Sequence, residues 1–144
     1  MEHYYSPPEN IRESTLTIQG EEAKHLAKNG TKELLIIAQD STYYGLDIYN
    51  ERKLAELLRR FSDVEGIEWI RLHYAFPSGF PLDVLDVIRE KKNICNYLDM
   101  PLQHASAQVL KRMKRGASGD IFLKLIEKIR RTLPGVAIRT SFIA

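Results

Sequence analysis

Few side chains in this sequence are suited to chemistry, and their spacing groups them. Gln39 and Asp40 adjoin, and Gln103 and His104 adjoin with Ser106 two positions on. Arg139 and Ser141 alternate with Thr140 and Phe142, so an extended backbone sets both on one polar face. Arg71 and His73 share a face by the same two-residue period. Groups of this kind hold ligands: a guanidinium grips a carboxylate through two parallel bonds, and a carboxylate or amide oxygen accepts from an ammonium. None is assigned a catalytic role. A histidine of ordinary pKa, about 6.5, can titrate, but His73 has no base or nucleophile beside it and reads as structural. Cys95 is the only cysteine, which excludes an internal disulfide and any multi-cysteine metal site within one copy. It precedes an apolar segment, and buried packing is its expected part.

The elements that must position these residues alternate. Ser14 to Ile18 alternates in polarity and is expected to be a short strand. Glu21 to Asn29 reads as a helix with Gly30 at its C-terminal end. Leu34 to Ala38 is an apolar run too short for a helix, expected to be a strand buried on both faces. A loop rich in Ser, Tyr and Gly spans Gln39 to Asn50, and its tyrosines are expected to cover the end of the sheet. Leu54, Leu57, Leu58 and Phe61 recur at helical spacing within Arg52 to Phe61. Ile67 to His73 is a strand, and Pro81 to Glu90 a helix with Leu82, Leu85 and Ile88 inward. Tyr97 to Met100 is a short strand, and Ala107 to Arg115 a helix capped by Ser106. Asp120 to Thr132 is a helix capped by Ser118, with Phe122, Leu125, Ile126 and Ile129 inward, and Val136 to Ile143 is the last strand. Strands joined by helical crossovers make a parallel α/β sheet, either part of a barrel or an open doubly wound sheet. In both, Gln39, Asp40, His73, Gln103 and His104 follow strand C-termini, the edge where ligands bind.

Several strings at these strand ends resemble a known family. They are Leu35-Ile36-Ile37-Ala38-Gln39-Asp40-Ser41-Thr42-Tyr43-Tyr44-Gly45, Trp69-Ile70-Arg71-Leu72-His73-Tyr74-Ala75-Phe76-Pro77 and Leu98-Asp99-Met100-Pro101-Leu102-Gln103-His104-Ala105-Ser106. With Leu110 to Gly116 and Ile138 to Ile143 they look like consecutive motifs of the RimO family of radical-SAM methylthiotransferases, in order, from about residue 21 to 143. The resemblance implies a parallel partial (half) TIM-type barrel over residues 21–144, of about five strands with crossover helices, after an N-terminal segment 1–20. It also implies a reaction: a reduced [4Fe-4S] cluster cleaves S-adenosylmethionine, and a methylthio group is placed on an aspartate of a small-subunit ribosomal protein. Gln39 and Asp40 then stand where the cofactor's amino group is held. Gln103, His104 and Ser106 line its ribose and adenine, and Arg139 and Ser141 face its carboxylate from the barrel lumen.

The family's radical cluster needs three closely spaced thiolates, and residues 1–20 hold no cysteine. The second cluster's domain, a Gly-Phe-Pro-Gly stretch and a TRAM domain also lack counterparts here. The expectation is therefore a catalytically incomplete chain carrying no cofactor. The alternatives are a non-catalytic module that binds S-adenosylmethionine, a nucleotide or ribosomal components, and an engineered folding scaffold. Residues 1–26, including His3-Tyr4-Tyr5-Ser6-Pro7-Pro8 and Glu22-Ala23-Lys24, resemble the start of the RsmE family of ribosomal-RNA uridine methyltransferases, as in a chimera joined near residues 22–28. Net charge is +2, and the basic runs Lys111-Arg112, Lys114-Arg115 and Lys128 to Arg131 read as solvated helix faces, so nucleic acid is not the expected partner. No apolar run approaches the roughly 20 residues that span a bilayer, no secretory signal opens the chain, and the expected location is the cytoplasm.

A partial barrel leaves strand edges unpaired and apolar surface uncovered. A homodimer through those edges, exchanged elements, or cover by the N-terminal segment is expected. Light scattering behind size exclusion should then show a mass above that of one chain, unless the N-terminal segment provides the cover; a compact monomer with no exposed apolar patch contradicts the open-edge expectation.

Overall fold

The computed structural model describes residues 15–113 and 118–143. Helix α1 (Thr15–Lys28) leads to strand β1 (Glu33–Ile36), a 3-10 turn at Ser41–Tyr43 and a short helix α2 (Leu46–Tyr49). Helix α3 (Leu54–Ser62), β2 (Trp69–Leu72), α4 (Asp83–Glu90) and β3 (Tyr97–Asp99) follow, then α5 (Ala107–Arg112), α6 (Gly119–Thr132) and β4 (Ala137–Arg139). Strand β1 pairs with β2 in parallel, from Glu33 opposite Trp69 to Ile36 opposite Leu72. Strand β3 pairs with β4 in parallel, from Tyr97 opposite Ala137 to Asp99 opposite Arg139. The two pairs are linked by a parallel bridge between Ile70 and Ile94.

The amphipathic helices form as their spacing predicts. Leu54, Leu57, Leu58 and Phe61 of α3 are buried, as are Val84, Leu85, Val87 and Ile88 of α4 and Phe122 and Ile129 of α6. Leu125 and Ile126 are partly buried against the same core. Helices α1, α3, α4 and α6 touch in that order. Against them lie the strand residues Leu34, Ile70, Leu72 and Leu98, all buried. Burying such side chains contributes roughly 1.5–3 kcal/mol each, and this continuous layer is the main source of stability.

Four expectations are corrected. Thr15 to Ile18 is helical, not a strand: α1 begins at Thr15, and Gln19, Ala23 and Leu26, spaced by four and three, continue a helical period. The expected join near residues 22–28 falls inside this unbroken helix, and residues 1–14 lie outside the described residues. Leu82 is 38% exposed, because it precedes the first turn of α4 and lies off its apolar stripe. Strand β1 is not buried on both faces: Leu34 is buried and Leu35 and Ile36 half-buried, since among the described residues β1 pairs only with β2. The last strand is shorter than Val136–Ile143: after Met100 N donates to Arg139 O, the next donor in register, Leu102 N, turns to the Thr140 side chain (Oγ1, 3.2 Å) and not to a backbone carbonyl. Pairing resumes only as a single bridge between Gln103 and Phe142. Four strands are described where about five were expected.

Leu58 has no exposed surface and sits in the middle of the helix row. Leu58→Ala should cost about 2–5 kcal/mol in urea unfolding; a loss below about 1 kcal/mol would mean that α3 is not the core helix.

Candidate functional site

All four strands point their C-terminal ends to one edge, and backbone bonds continue past them. His73 N donates to Ile36 O (2.9 Å), Ser41 N to Tyr74 O (3.1 Å), Ala75 N to Asp99 O (2.9 Å) and Met100 N to Arg139 O (2.8 Å). Gln103 N donates to Ser141 O (2.9 Å), and Ile143 N to Gln103 O (2.8 Å). Every candidate residue but Arg139, the last residue of β4, therefore lies beyond a strand end, where the loop backbones are tied to one another.

After β1, Asp40 caps the 3-10 turn: its Oδ1 accepts from Thr42 N (2.9 Å) and Thr42 Oγ1 (2.7 Å). Buried Ser41 donates from Oγ to His73 O (2.9 Å). Arg52 braces the turn from the other side, donating from Nη1 to Thr42 O (2.6 Å) with its guanidinium 4.7 Å from the Tyr43 ring centroid. Gly45, at φ 92°, closes the loop where a side chain would strike Lys53. Asp40 thus does hold the turn, and Gln39 beside it is exposed.

After β3, Gln103 takes a left-handed φ of 70°, and both its backbone groups are bonded to the last segment. His104 Nδ1 accepts from Ser106 N (2.8 Å), which leaves the proton of a neutral ring on Nε2. Ser106 stands at the N-cap of α5 in extended conformation but makes no side-chain cap bond, and Ser118 is alike at α6. Both positions match the sequence expectation, and the capping bonds expected there do not form. Ser141 contributes its carbonyl to Gln103, and its side chain is exposed.

The face of the strands opposite the helices is polar. Arg71 Nε donates to Glu33 Oε1 (2.8 Å) and lies 5.2 Å from the Tyr97 ring centroid. The bond it donates to Glu33 raises the pKa of this guanidinium. Towards the C-terminal edge, Asp99 Oδ2 lies 3.3 Å from Arg139 Nη1, 3.4 Å from Tyr74 N and 3.6 Å from His73 Nδ1. Asp99 is 4% exposed. Sequence reading passed over it as a strand residue; the available signal was a carboxylate inside an otherwise apolar strand, which must be paired when buried.

A cavity of about 580 Å³ runs beside β1, walled by Ala23, Leu34, Leu35, Leu57 and Phe61, with Gln39 and Asp40 at one end. Gln103, His104, Ser106, Arg139 and Ser141 do not line it. The structure therefore brings the candidates to one edge in two groups, Gln39 with Asp40 and the β3–β4 group, and does not gather them round one cavity. Cys95 is half-buried at the N-terminal end of β3, with its N bonded to Ile70 O (2.9 Å). Among the described residues no group of three His, Cys, Asp or Glu is placed to hold a metal ion, and no helix is long and apolar enough to cross a membrane. Lys111, Arg112, Lys128, Arg130 and Arg131 are solvated as expected, and Lys114 and Arg115 lie outside the described residues.

The chain is similar to known proteins. A profile of the Radical SAM superfamily matches residues 4–143. The ribosomal protein uS12 methylthiotransferase RimO of Cytophaga hutchinsonii is 61% identical over 122 residues, 85% of this chain and 28% of that protein. RimO of Christiangramia forsetii is 59% identical over 122 residues, 85% of this chain and 27% of that protein. RimO of Solibacter usitatus is 57% identical over 124 residues, again 85% and 27%. The chain thus spans under a third of the length of the curated relatives it matches. Among solved structures, the radical S-adenosylmethionine methyltransferase TsrM from Kitasatospora setae, with cobalamin and a [4Fe-4S] cluster bound, superposes with a TM-score of 0.61 at 17% identity, covering 88% of this chain and 24% of that one. This likeness concerns the fold alone.

The capping role of Asp40 is separable from its charge. Asp40→Ala should lower stability by about 0.5–2 kcal/mol in urea unfolding, and Asp40→Asn, which keeps an acceptor, by only a few tenths. Equal losses would mean that charge, not the cap, matters there.

Proposed function

The chain belongs to the radical SAM superfamily, and we propose that it is a stretch of a RimO-type methylthiotransferase barrel that supplies an S-adenosylmethionine-facing edge and does not catalyse alone. The observation that carries this reading is the placement of Gln39, Asp40, Gln103, His104, Ser106, Arg139 and Ser141 at the C-terminal edge of parallel strands. The row of helices on one face, with polar side chains on the other, supports a barrel arc over a doubly wound sheet, whose helices cover both faces. The uS12 specificity in the relatives' names supports a small-subunit ribosomal protein as the partner of the whole enzyme; the aspartate acceptor is what the resemblance to the family implies.

The residues present do not fit the iron–sulfur cluster. Its three thiolates have no counterpart, and the single thiol, Cys95, lies at the opposite end of β3. No step is derived through it. The polar edge does suit S-adenosylmethionine, a zwitterion carrying a ribose and an adenine. Gln39 and the Asp40 carboxylate suit its ammonium. Gln103, His104 and Ser106 suit the ribose hydroxyls and adenine. Arg139, 59% exposed at its side chain, suits the carboxylate, with Ser141 beside it. In this reading the apolar cavity at the β1 edge is where a second copy pairs. The join of an RsmE-like segment to the barrel stretch near residues 22–28 belongs to the same proposal, and the encoding DNA with its flanks reads it directly.

Two measurements test the reading. Anaerobic reconstitution with iron and sulfide should yield no broad absorption near roughly 400 nm, the thiolate-to-iron band, and no cofactor cleavage under dithionite. Calorimetry should show S-adenosylmethionine binding. A brown protein that splits the cofactor overturns the inactivity, and silence in calorimetry favours an inert scaffold over a binding edge.

A further inference from the structure

Among the described residues, three that are not glycine take a left-handed backbone: Asn50 at φ 55°, Tyr74 at φ 53° and Gln103 at φ 70°. Asparagine tolerates that region, whereas a bulky side chain is strained there. Tyr74 and Gln103 both follow strand C-termini. Strain of this kind persists only where the surroundings over-determine it, and around Tyr74 they do. Ser41 Oγ donates to His73 O (2.9 Å) and to Tyr74 O (3.1 Å), and Ser41 N donates to Tyr74 O (3.1 Å). Ala75 N donates to Asp99 O (2.9 Å), and Tyr74 N lies 3.4 Å from Asp99 Oδ2. Ser41, Ala75 and Asp99 are all buried. Glycine would take this backbone without strain. The tyrosine side chain contributes little to the fold: Tyr74 is 46% exposed, lies outside the apolar core, and its phenol has no hydrogen-bond or ring partner among the described residues.

Exposed rings recur along this edge, Tyr43 after β1 and Phe142 after β4. The cations beside them are committed, Arg52 to Thr42 O and the Tyr43 ring, and Arg139 to Asp99. Aromatic rings without free cations suit a polypeptide, since protein interfaces are anchored on such rings. They do not suit a phosphate backbone, which is held by unpaired Lys and Arg. We propose that Tyr74 is a recognition residue of the C-terminal edge: its ring, held outward by the bonds to Ser41 and Asp99, is the anchor on which a segment of a protein partner seats. The identity of that partner rests on the ribosomal-protein reading above; the strained backbone and its hydrogen bonds do not.

The test titrates purified ribosomal protein uS12 against the whole chain by fluorescence anisotropy, with S-adenosylmethionine and polyuridylate titrated in parallel. Tyr74→Asn removes the ring and tolerates the left-handed backbone; Tyr74→Phe keeps the ring. Wild type should bind uS12. Tyr74→Asn should bind it at least about tenfold more weakly, and Tyr74→Phe should stay within about threefold of wild type. Hydrogen-exchange protection of the Ser41 and Ala75 amides, and the response to S-adenosylmethionine, should be alike in all three proteins; a merely structural role for the ring would change the protection. Tyr74→Gly takes the place of Tyr74→Asn if the latter does not fold, and failure of both to fold overturns the inference, because the ring would then hold the fold. Equal uS12 affinity in wild type and Tyr74→Asn, no uS12 binding by wild type, or a loss confined to S-adenosylmethionine or polyuridylate also overturns it. Ring-dependent uS12 binding in a chain that ignores S-adenosylmethionine sinks the cofactor-edge reading and leaves Tyr74 as the anchor.

Discussion

The structure depends on parallel pairing that does not stop where the strands stop. Parallel strands bring their C-termini to one edge, and here the backbone ladder runs on into the loops, from Ile36 to His73, Tyr74 to Ser41, Asp99 to Ala75 and Ser141 to Gln103. Loops tied this way cannot move independently. Short polar side chains on them acquire fixed places without long strands beneath. This matters because the strands are only three or four residues long and carry little pairing of their own.

The two faces of the sheet divide the labour. Towards the helices, Leu34, Ile70, Leu72 and Leu98 join α3, α4 and α6 in one apolar layer. On the other face, Glu33, Arg71, Tyr97, His73, Asp99 and Arg139 form a chain of paired groups across four strands. The interior of a closed barrel is ordinarily filled with branched apolar residues. The polar face of these strands lacks that apolar filling and carries paired charges in its place. The salt bridges around it are at least one-third exposed on one side, so their contribution to stability is small and geometry is their main effect.

Much of this was legible in the residues. Leu54, Leu57, Leu58 and Phe61 announce α3 because a 3.6-residue period admits one buried stripe, and Pro134-Gly135 marks the break before β4. The edge position of Gln39, Asp40, Gln103 and His104 followed from the alternation of strands and helices. What was not legible depends on partners distant in sequence. The alternation at Ser14 to Ile18 fits a strand as well as the helix that α3 selects by packing against α1. Asp99 looks like a strand interruption until Arg139, 40 residues later, arrives beside it. His104 takes up the Ser106 N–H through its ring, a bond no capping rule anticipates. The separation of the site into a β1 cavity and a β3–β4 group follows from which strands pair with which, and pairings between residues far apart in sequence are not encoded in one-dimensional patterning.

The most direct measurement on the central claim is a backbone amide shift map of the chain on addition of S-adenosylmethionine. The account predicts perturbed amides in the loops that follow the four strands, around Gln39, Tyr74, Gln103 and Ser141, and quiet amides at the strand starts near Glu33, Trp69 and Asn96. Shifts confined to the strand starts, or scattered without regard to the edge, would contradict it.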